Sequence, residues 1–313
     1  MDKYIIGIDL GGRSAKFGLF TEGGELVAKS SIKTRVEDKG KYILEDICDY
    51  LDKLVAKHQL TKENLLGIGI GVPGPILNKR VASRAINLGW EEVPVADIIE
   101  KRIKTKVYVE NDANVAALGE MWKGAAEGKN NVVLVTLGTG VGGGVIVDGK
   151  IISGTNGSAG EIGHIPLFEE ELDRVCGCGK RNCLEQVASA TGIEYLAQDM
   201  LLEFDTDSPL RDLDMITAKD IFDYAKQADE ISLKVVNKFG KYLGRGLAII
   251  SAVVDPEVFV IGGGVSHAGD FLLEVLDVYY KIYAFSSTRD AEITLASLGN
   301  DAGMYGAAKL VLE

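Results

Sequence analysis

Proline is scarce in this chain of 313 residues, at 6 positions, and no low-complexity tract occurs. A disordered or extended linker segment is therefore not indicated. No apolar run approaches the ~18 residues of a membrane-spanning helix, and the opening MDKYIIGIDLGG is apolar over too few residues for a signal peptide. Positive charge is in deficit: 34 Lys and Arg against 46 Asp and Glu leave a formal net charge of −12. That balance opposes binding to nucleic acid backbones or to anionic membranes, both of which call for concentrated Lys and Arg. These absences point to a soluble, cytoplasmic protein with a small-molecule task. In a reducing compartment its 4 cysteines are expected to serve metal or redox chemistry more than structural disulfides.

Glycine, by contrast, is abundant, with 38 residues, where an average composition of roughly 7% would give far fewer. The excess is clustered in short loops between apolar stretches. With 46% apolar residues the chain can bury a substantial core, and its length exceeds one comfortable domain, so two domains are expected. The start reads as strand, glycine turn, strand, glycine turn, strand: YIIGID, LGGRS, AKFGLF, TEGG, ELVAKSSIKT. The same grammar returns near residue 131 as NVVLVTL, GTGVGGG, VIV, DGK, IISG, which suggests two halves of related build.

Between these units the pattern predicts an amphipathic helix over about 41–58, an apolar strand LLGIGIGV closed by Pro73 and Pro75, and a helix near 94–103. Strand VYVE and a helix over about 112–125 follow. A mostly helical stretch spans 184–254, and the chain ends with strand EVFVI, loop GGGVS, a helix over about 268–283, strand EITLA and a last helix from about 301. Mixed strands and helices throughout imply α/β layers in two domains with a cleft between them.

Gly-rich loops suit polyphosphates, because residues without Cβ let backbone N–H groups approach an anion closely. Three are present: DLGG with Asp9, Gly11 and Gly12; LGTGVGGG with Gly138, Thr139 and Gly140; and GGGVS with Gly263 and Gly264. None is a Walker A loop, and the first two run into a further strand, unlike a Rossmann fingerprint. Each alone could be a tight hairpin turn. Asp9 ends a buried-looking strand, where a carboxylate could hold Mg²⁺ through water beside phosphates, or could simply close a turn. Lys16 is either a phosphate partner or a solvated charge.

The stretch EIGHIPLFEEELDRVCGCGKRNCLEQ holds three of the four cysteines. Cys176, Cys178 and Cys183 follow C-x-C-x4-C, with His164 upstream. Three thiolates and an imidazole make a closed tetrahedral set, the composition of a structural Zn²⁺ site. A reducible disulfide is the chief rival, and a redox C-x-x-C is absent from the segment. Cys48 falls in a helical pattern and reads as an inert core thiol.

Taken in order, DLGGRSAK, GVPGP, NLGW, ENDANVAALGE, LGTGVGGG, GEIGH, CGCGKRNCLE, VIGGGVS and LGNDAGMYGAA resemble the ROK family of sugar kinases, most closely its glucokinases. The resemblance covers nearly the whole chain. It implies a two-domain actin-like, hexokinase-like (ribonuclease H-like) ATPase fold with an inter-domain cleft. The smaller α/β domain would be residues 1–118, joined by the C-terminal helix 301–313, and the larger 119–300. The implied reaction is ATP-dependent phosphorylation of glucose to glucose 6-phosphate. A poorly nucleophilic sugar hydroxyl needs a carboxylate to accept its proton, and Asp112 matches the family's general base. Asn87, Asn111, Glu161, His164 and Glu185 match residues that contact sugar hydroxyls, whose paired donors and acceptors penalise the wrong epimer. Asn111 and Asp112 also stand where an N-cap is favoured.

ATP, Mg²⁺ bound with it and a structural Zn²⁺ are the implied cofactors, and a homodimer or homotetramer is the implied assembly. Asp9, Gly11, Gly12, Lys16, Gly138, Thr139, Gly140, Gly263 and Gly264 would face the nucleotide. The family's first loop usually continues with Thr, and here Arg13 stands in that place. An Arg is longer, charged and unable to accept a hydrogen bond, which keeps weak activity, another phosphoryl donor or another acceptor in view. Kinases for N-acetylmannosamine, fructose or allose would use the same Asp and carboxylate set. Sugar-responsive repressors of this family carry a DNA-binding segment ahead of the first loop, and Asp9 lies too near the start for one.

Overall fold

The computed structural model describes residues 2–167 and 172–313, which divide into two compact units. The first comprises the chain up to Gly128 together with Gly144–Gly160 and Ser297–Glu313; the second comprises Lys129–Gly143 and Glu161–Ala296.

The first unit opens with β1 (Tyr4–Leu10), β2 (Ser14–Thr21) and β3 (Leu26–Lys33), then a distorted turn α1 (Glu37–Gly40) and helix α2 (Ile43–Lys57). Next come β4 (Leu65–Val72), the short strands β5 (Ile76–Leu77), β6 (Val81–Ala85) and β7 (Trp90–Val93), helix α3 (Val95–Ile103), β8 (Val107–Asn111) and α4 (Asp112–Lys123). The main sheet has the order β3-β2-β1-β4-β8, and β5-β6-β7 form a separate three-stranded sheet that the sequence pattern did not suggest.

The remaining strands are β9 (Val132–Leu137), β10 (Val141–Val147), β11 (Lys150–Ile151), β12 (Val258–Gly262) and β13 (Glu292–Leu295), in the order β11-β10-β9-β12-β13. Helices α5 (Glu185–Ala188), α6 (Ala190–Glu203), α7 (Ala218–Lys226), α8 (Glu230–Val254) and α9 (Asp270–Tyr283) belong to the second unit. The last helix, α10 (Ala302–Lys309), belongs to the first. Written by position, both five-stranded sheets follow one scheme: third, second, first, fourth, fifth strand. The recurrence of hairpin grammar in the sequence therefore marks a recurrence of topology. Strand β10 starts at Val141, so the three glycines that read as a turn are sheet residues.

Strand alternation decides what lies on each face of the first sheet. In β1, Ile6, Ile8 and Leu10 join the core formed with Ile47 and Leu51 of α2 and Ile99 of α3. Ile5, Gly7 and Asp9 face the other way, Ile5 packing with Met304 and Ala308 of α10. In β4, Gly67, Gly69 and Gly71 alternate with buried Ile68, Ile70 and Val72. A Cβ on Gly69 would lie 1.7 Å from Ala307 O, one on Gly7 2.0 Å from Met304 O, and one on Gly71 2.5 Å from Val115 Cγ2. The same holds between helices: a Cβ on Gly306 would lie 1.6 Å from Val115 O, and one on Gly119 2.2 Å from Ala302 O. Helices α10 and α4 thus sit at backbone contact where the sequence supplies no side chain.

Glu120 of α4, fully buried, fixes the approach to α10. Its carboxylate accepts hydrogen bonds from the backbone N–H of Ala125 (2.8 Å), Ser297 (3.1 Å) and Leu298 (2.9 Å), which meets the demand of a buried charge for partners. Glycine to alanine in an unstrained strand is ordinarily benign, but Gly69→Ala is expected to destabilise by about 2–3 kcal/mol through overpacking. Urea unfolding checks this; an unchanged midpoint would contradict the packing described.

Candidate active site and metal cluster

In the first unit the candidate residues gather at the carboxyl ends of parallel strands β1, β4 and β8, the edge where open α/β sheets bind ligands. Asp9 is level with Gly71, and Gly71 with Glu110. Two strand spacings place those rows about 10 Å apart. Asp9 lies opposite Lys16 in the β1–β2 hairpin. Lys16 Nζ reaches Asp9 Oδ2 at 3.3 Å and donates to Asn300 O at 2.7 Å. Burial pushes the Asp9 carboxyl above the usual carboxylate range, with Lys16 pulling the other way. Gly303 of α10 lies so close that a Cβ there would come within 2.7 Å of Asp9 Cγ.

The loop after Asp9 turns through the Gly11 N–H bond to Ser14 O (3.0 Å) and is tied down by buried Thr34, whose hydroxyl donates to Gly11 O at 2.7 Å. Gly12 faces Asn87, with its Cβ direction 3.6 Å from Asn87 O. Arg13 is exposed, and its guanidinium makes no hydrogen bond or ion pair among the described residues.

Asn111 is the N-cap of α4. Its Oδ1 accepts from the N–H groups of Ala113 (2.9 Å) and Asn114 (3.1 Å), while Nδ2 donates to Gly74 O (3.2 Å). One amide hydrogen is left for a ligand by the donor count of an amide. Asp112 is the first helical residue, half-buried, with Oδ1 2.9 Å from Ala113 N. Beneath them Glu110, 2% exposed, accepts from Asn111 N–H (2.9 Å), Asn114 Nδ2 (3.1 Å) and the Ser153 hydroxyl (2.8 Å). Neither Thr34 nor Glu110 was singled out from sequence; Thr34 meets Gly11 and Glu110 meets Ser153 only across long stretches of chain.

The second unit holds the other glycine loops. Gly138 N–H donates to Gly140 O (3.0 Å), Ala190 N–H donates to Gly138 O (2.8 Å), and a Cβ on Gly263 would lie 2.4 Å from Leu137 O. Gly263 also has φ +84°, a conformation that glycine adopts without penalty. Gly138 and Gly264 differ from it, because a Cβ on either would meet nothing within 4 Å. Thr139 is exposed at the tip. A cavity of about 530 Å³ opens beside this loop, walled by Ala190 and Glu194 of α6, Ala218 and Phe222 of α7, and Gly264 and Val265. Its α6 and α7 walls were not read from the sequence.

Residues 161–167 and 172–185 are tied to one another by backbone hydrogen bonds into a knot. Leu184 N–H bonds Ile165 O (2.9 Å) and Leu167 N–H bonds Asn182 O (3.1 Å), while Cys176 N–H to Lys180 O (2.8 Å) and Gly179 N–H to Cys176 O (2.8 Å) close the C-G-C-G turn. One ligand atom from each of His164, Cys176, Cys178 and Cys183 lies within 4.8 Å of the others. Cys176 Sγ is 3.6 Å from His164 Nδ1, and Cys178 Sγ is 3.6 Å from Cys183 Sγ. Bonds of about 2.0–2.3 Å around a tetrahedral cation give edges of this length, whereas a disulfide needs about 2.05 Å; all four cysteines are free thiols. Burial pushes the Cys176 and Cys183 thiols up, and backbone donation from Lys180 pulls Cys178 down. Buried thiolates there call for a cation, so the donor set fits a metal.

The two flanking glutamates are placed by this knot. His164 turns Nδ1 to the cluster and Nε2 toward Glu161, whose Oε2 is 3.9 Å away. Glu185 accepts from Val141 N–H at 2.9 Å with Oε2 and stands 3.7 Å from Cys176 Sγ with Oε1. One carboxylate therefore ties the cysteine loop to the glycine loop at 138–141.

A family model described as the ROK family matches residues 5–313. A glucokinase of Halalkalibacterium halodurans is 45% identical over 317 residues, spanning 100% of this chain and 96% of that protein. A glucokinase of Thermotoga maritima is 34% identical over 317 residues, spanning 99% and 97%. Among solved structures, a ROK family glucokinase from Streptomyces griseus in complex with glucose and AMPPNP is similar with a TM-score of 0.77 and 32% identity, over 98% of each chain.

Two outcomes follow from this geometry. Cys183→Ser should lower bound metal well below one equivalent in elemental analysis and lower Tm by about 5 °C; metal-free wild-type protein of unchanged Tm would rule the cluster out as a support. For Asp9, a folded pKa raised above the unfolded ~3.9 stabilises only below that value, and the contribution is lost as pH rises through the folded pKa. Ionised Asp9 is thus a cost at neutral pH, and Asp9→Asn should raise the Tm of ligand-free protein by about 1–3 °C at pH 7 but not at pH 3.5.

Proposed function

Because the chain belongs to the ROK family, we propose that it is a glucokinase, transferring the γ-phosphoryl group of ATP to glucose to give glucose 6-phosphate. The observation that carries the reading is identity of 45% along the whole chain with a protein of that name. Its support in the molecule is the junction of β8 and α4, where Asn111 and Asp112 stand at the carboxyl edge of parallel strands.

In this reading Asp112 accepts the proton of the attacking sugar hydroxyl as the new O–P bond forms and the bond to the β-phosphate oxygen breaks. Asn87, Asn111, Glu161, His164 and Glu185 are assigned to the sugar hydroxyls. If Nδ1 of His164 serves the metal cluster, Nε2 carries the proton and can donate to a hydroxyl. Glu185 keeps one oxygen on Val141 N–H, so its remaining acceptor capacity is held in a fixed direction.

Asp9, Gly11, Gly12 and Lys16, with Gly138, Thr139, Gly140, Gly263 and Gly264, are assigned to the nucleotide. Mg²⁺ bound with ATP supplies charge neutralisation at the phosphates, and Asp9, already disfavoured as a lone anion, is suited to hold it through water. His164, Cys176, Cys178 and Cys183 are assigned to a structural Zn²⁺, which leaves no open position for chemistry. Functional domains of residues 1–118 with 301–313 and of 119–300, a cytoplasmic setting and a homodimer or homotetramer belong to the same proposal.

Asp112→Asn is expected to lower kcat for glucose about 10²- to 10⁴-fold with an unchanged Tm. Coupled measurement of ADP release across glucose, fructose, N-acetylmannosamine and allose tests the acceptor. Near-normal turnover of glucose by the variant would remove Asp112 from the mechanism, and preference for another sugar would replace glucose.

A further inference from the structure

The cavity beside Gly264 is lined in part by the carboxylate of Glu194. Glu194 lies one turn after Ala190 on α6, so both project from the same helical face. It is half-buried and makes no hydrogen bond or ion pair among the described residues. Of the other polar groups of the wall, Thr217 caps α7 in a box with Asp220 outside the wall, Lys219 is bonded to Asp223, and His267 places Nδ1 3.0 Å from Gly264 O, with Nε2 making no hydrogen bond among the described residues. The rest of the wall is apolar and includes Ala190, Ala218, Phe222, Val265 and Ala268. An apolar ligand group suits such a lining.

The cavity also has a direction. Ala190 at its rim is hydrogen-bonded to Gly138 of the glycine loop. Gly264 borders it, at a position where the protein itself offers no obstacle to a side chain. Glycine there leaves room for something that is not protein. A ligand seated in the slot would therefore run from an apolar end toward backbone N–H groups suited to anions.

We infer that Glu194 reads the ribose of the phosphoryl donor, its two oxygens accepting from the vicinal 2′- and 3′-hydroxyls, and so selects ribonucleotides over 2′-deoxyribonucleotides. The inference rests on the kinase reading for the presence of a nucleotide. A carboxylate only accepts hydrogen bonds, so a diol satisfies it and a deoxyribose leaves it short of a donor. A 2′-phosphate in the same place would be repelled.

The test compares ATP with 2′-deoxy-ATP by kcat/KM at saturating glucose, and ADP with 2′-deoxy-ADP by calorimetry, in the full chain. Wild type should favour the ribonucleotide about 10- to 100-fold, the range of one hydrogen bond to a charged group. Glu194→Ala should bring the ratio to within about 2-fold by weakening the ribonucleotide alone, with KM for glucose unchanged; Glu194→Gln should fall between. A ratio that Glu194→Ala leaves intact, or wild type that treats the two nucleotides alike, overturns the inference and leaves the kinase reading standing. Discrimination between the diphosphates that depends on Glu194, in a chain that transfers no phosphate to glucose, sustains the inference and overturns glucose as acceptor.

Discussion

Backbone contact between α10 and its neighbours is the constraint on which the first unit depends. Glycines at 7 and 69 on the sheet and at 119 on α4, with Gly306 on α10 itself, allow carbonyl oxygens to occupy space that any Cβ would fill. Close-packed interiors tolerate little volume change, so these positions act together as one seat. The same seating places Gly303 against Asp9 and holds α4, whose first residue is Asp112. Glu120 adds direction by fastening Ser297 and Leu298 through buried hydrogen bonds. The final seventeen residues of the first unit are thus part of the support for residues read at positions 9 and 112.

The second unit solves a different problem. Among the described residues its cysteine knot contains little regular structure, and a short loop of that kind cannot bury enough apolar surface to fix its own shape. Hydrogen bonds between 165–167 and 182–184 and a cation-ready set of three thiols and one imidazole provide the rigidity. What the knot delivers lies outside the donor set: the carboxylates of Glu161 and Glu185. Positioning by residues one step away from the chemistry is a general property of metal centres; a cation held by this set would stand one step behind those two carboxylates.

Much of the fold was legible because periodicity and burial agree. The alternating run at 65–72 became β4 with the expected bounds, and the repeated hairpin grammar became two sheets of one topology. The sheet β5-β6-β7 was not legible, since its strands are 2, 5 and 4 residues long and too short to show a period of two. Strand β10 was misread at its start because glycine is depleted in strands and favoured in turns; Gly144 is needed there for the approach of Ala113 O, 2.6 Å from the Cβ direction. In the candidate site, residue types were legible and geometry was not. Asn111 was recognisable as a cap, but not the bond from Nδ2 to Gly74 O, and nothing local to Glu185 announces its bond to Val141.

Strand for strand, β1 of the first sheet corresponds to β9 of the second, and each is followed two residues after its last polar position by a glycine loop. Asp9 stands two residues before Gly11, and Thr136 two residues before Gly138. Duplicated architecture therefore comes with unduplicated chemistry: one strand end carries an acid and its counterpart a neutral hydroxyl. That broken pseudosymmetry gives the chain a polarity its topology lacks, because a divalent cation has a carboxylate to approach at one strand end and none at the equivalent place in the other.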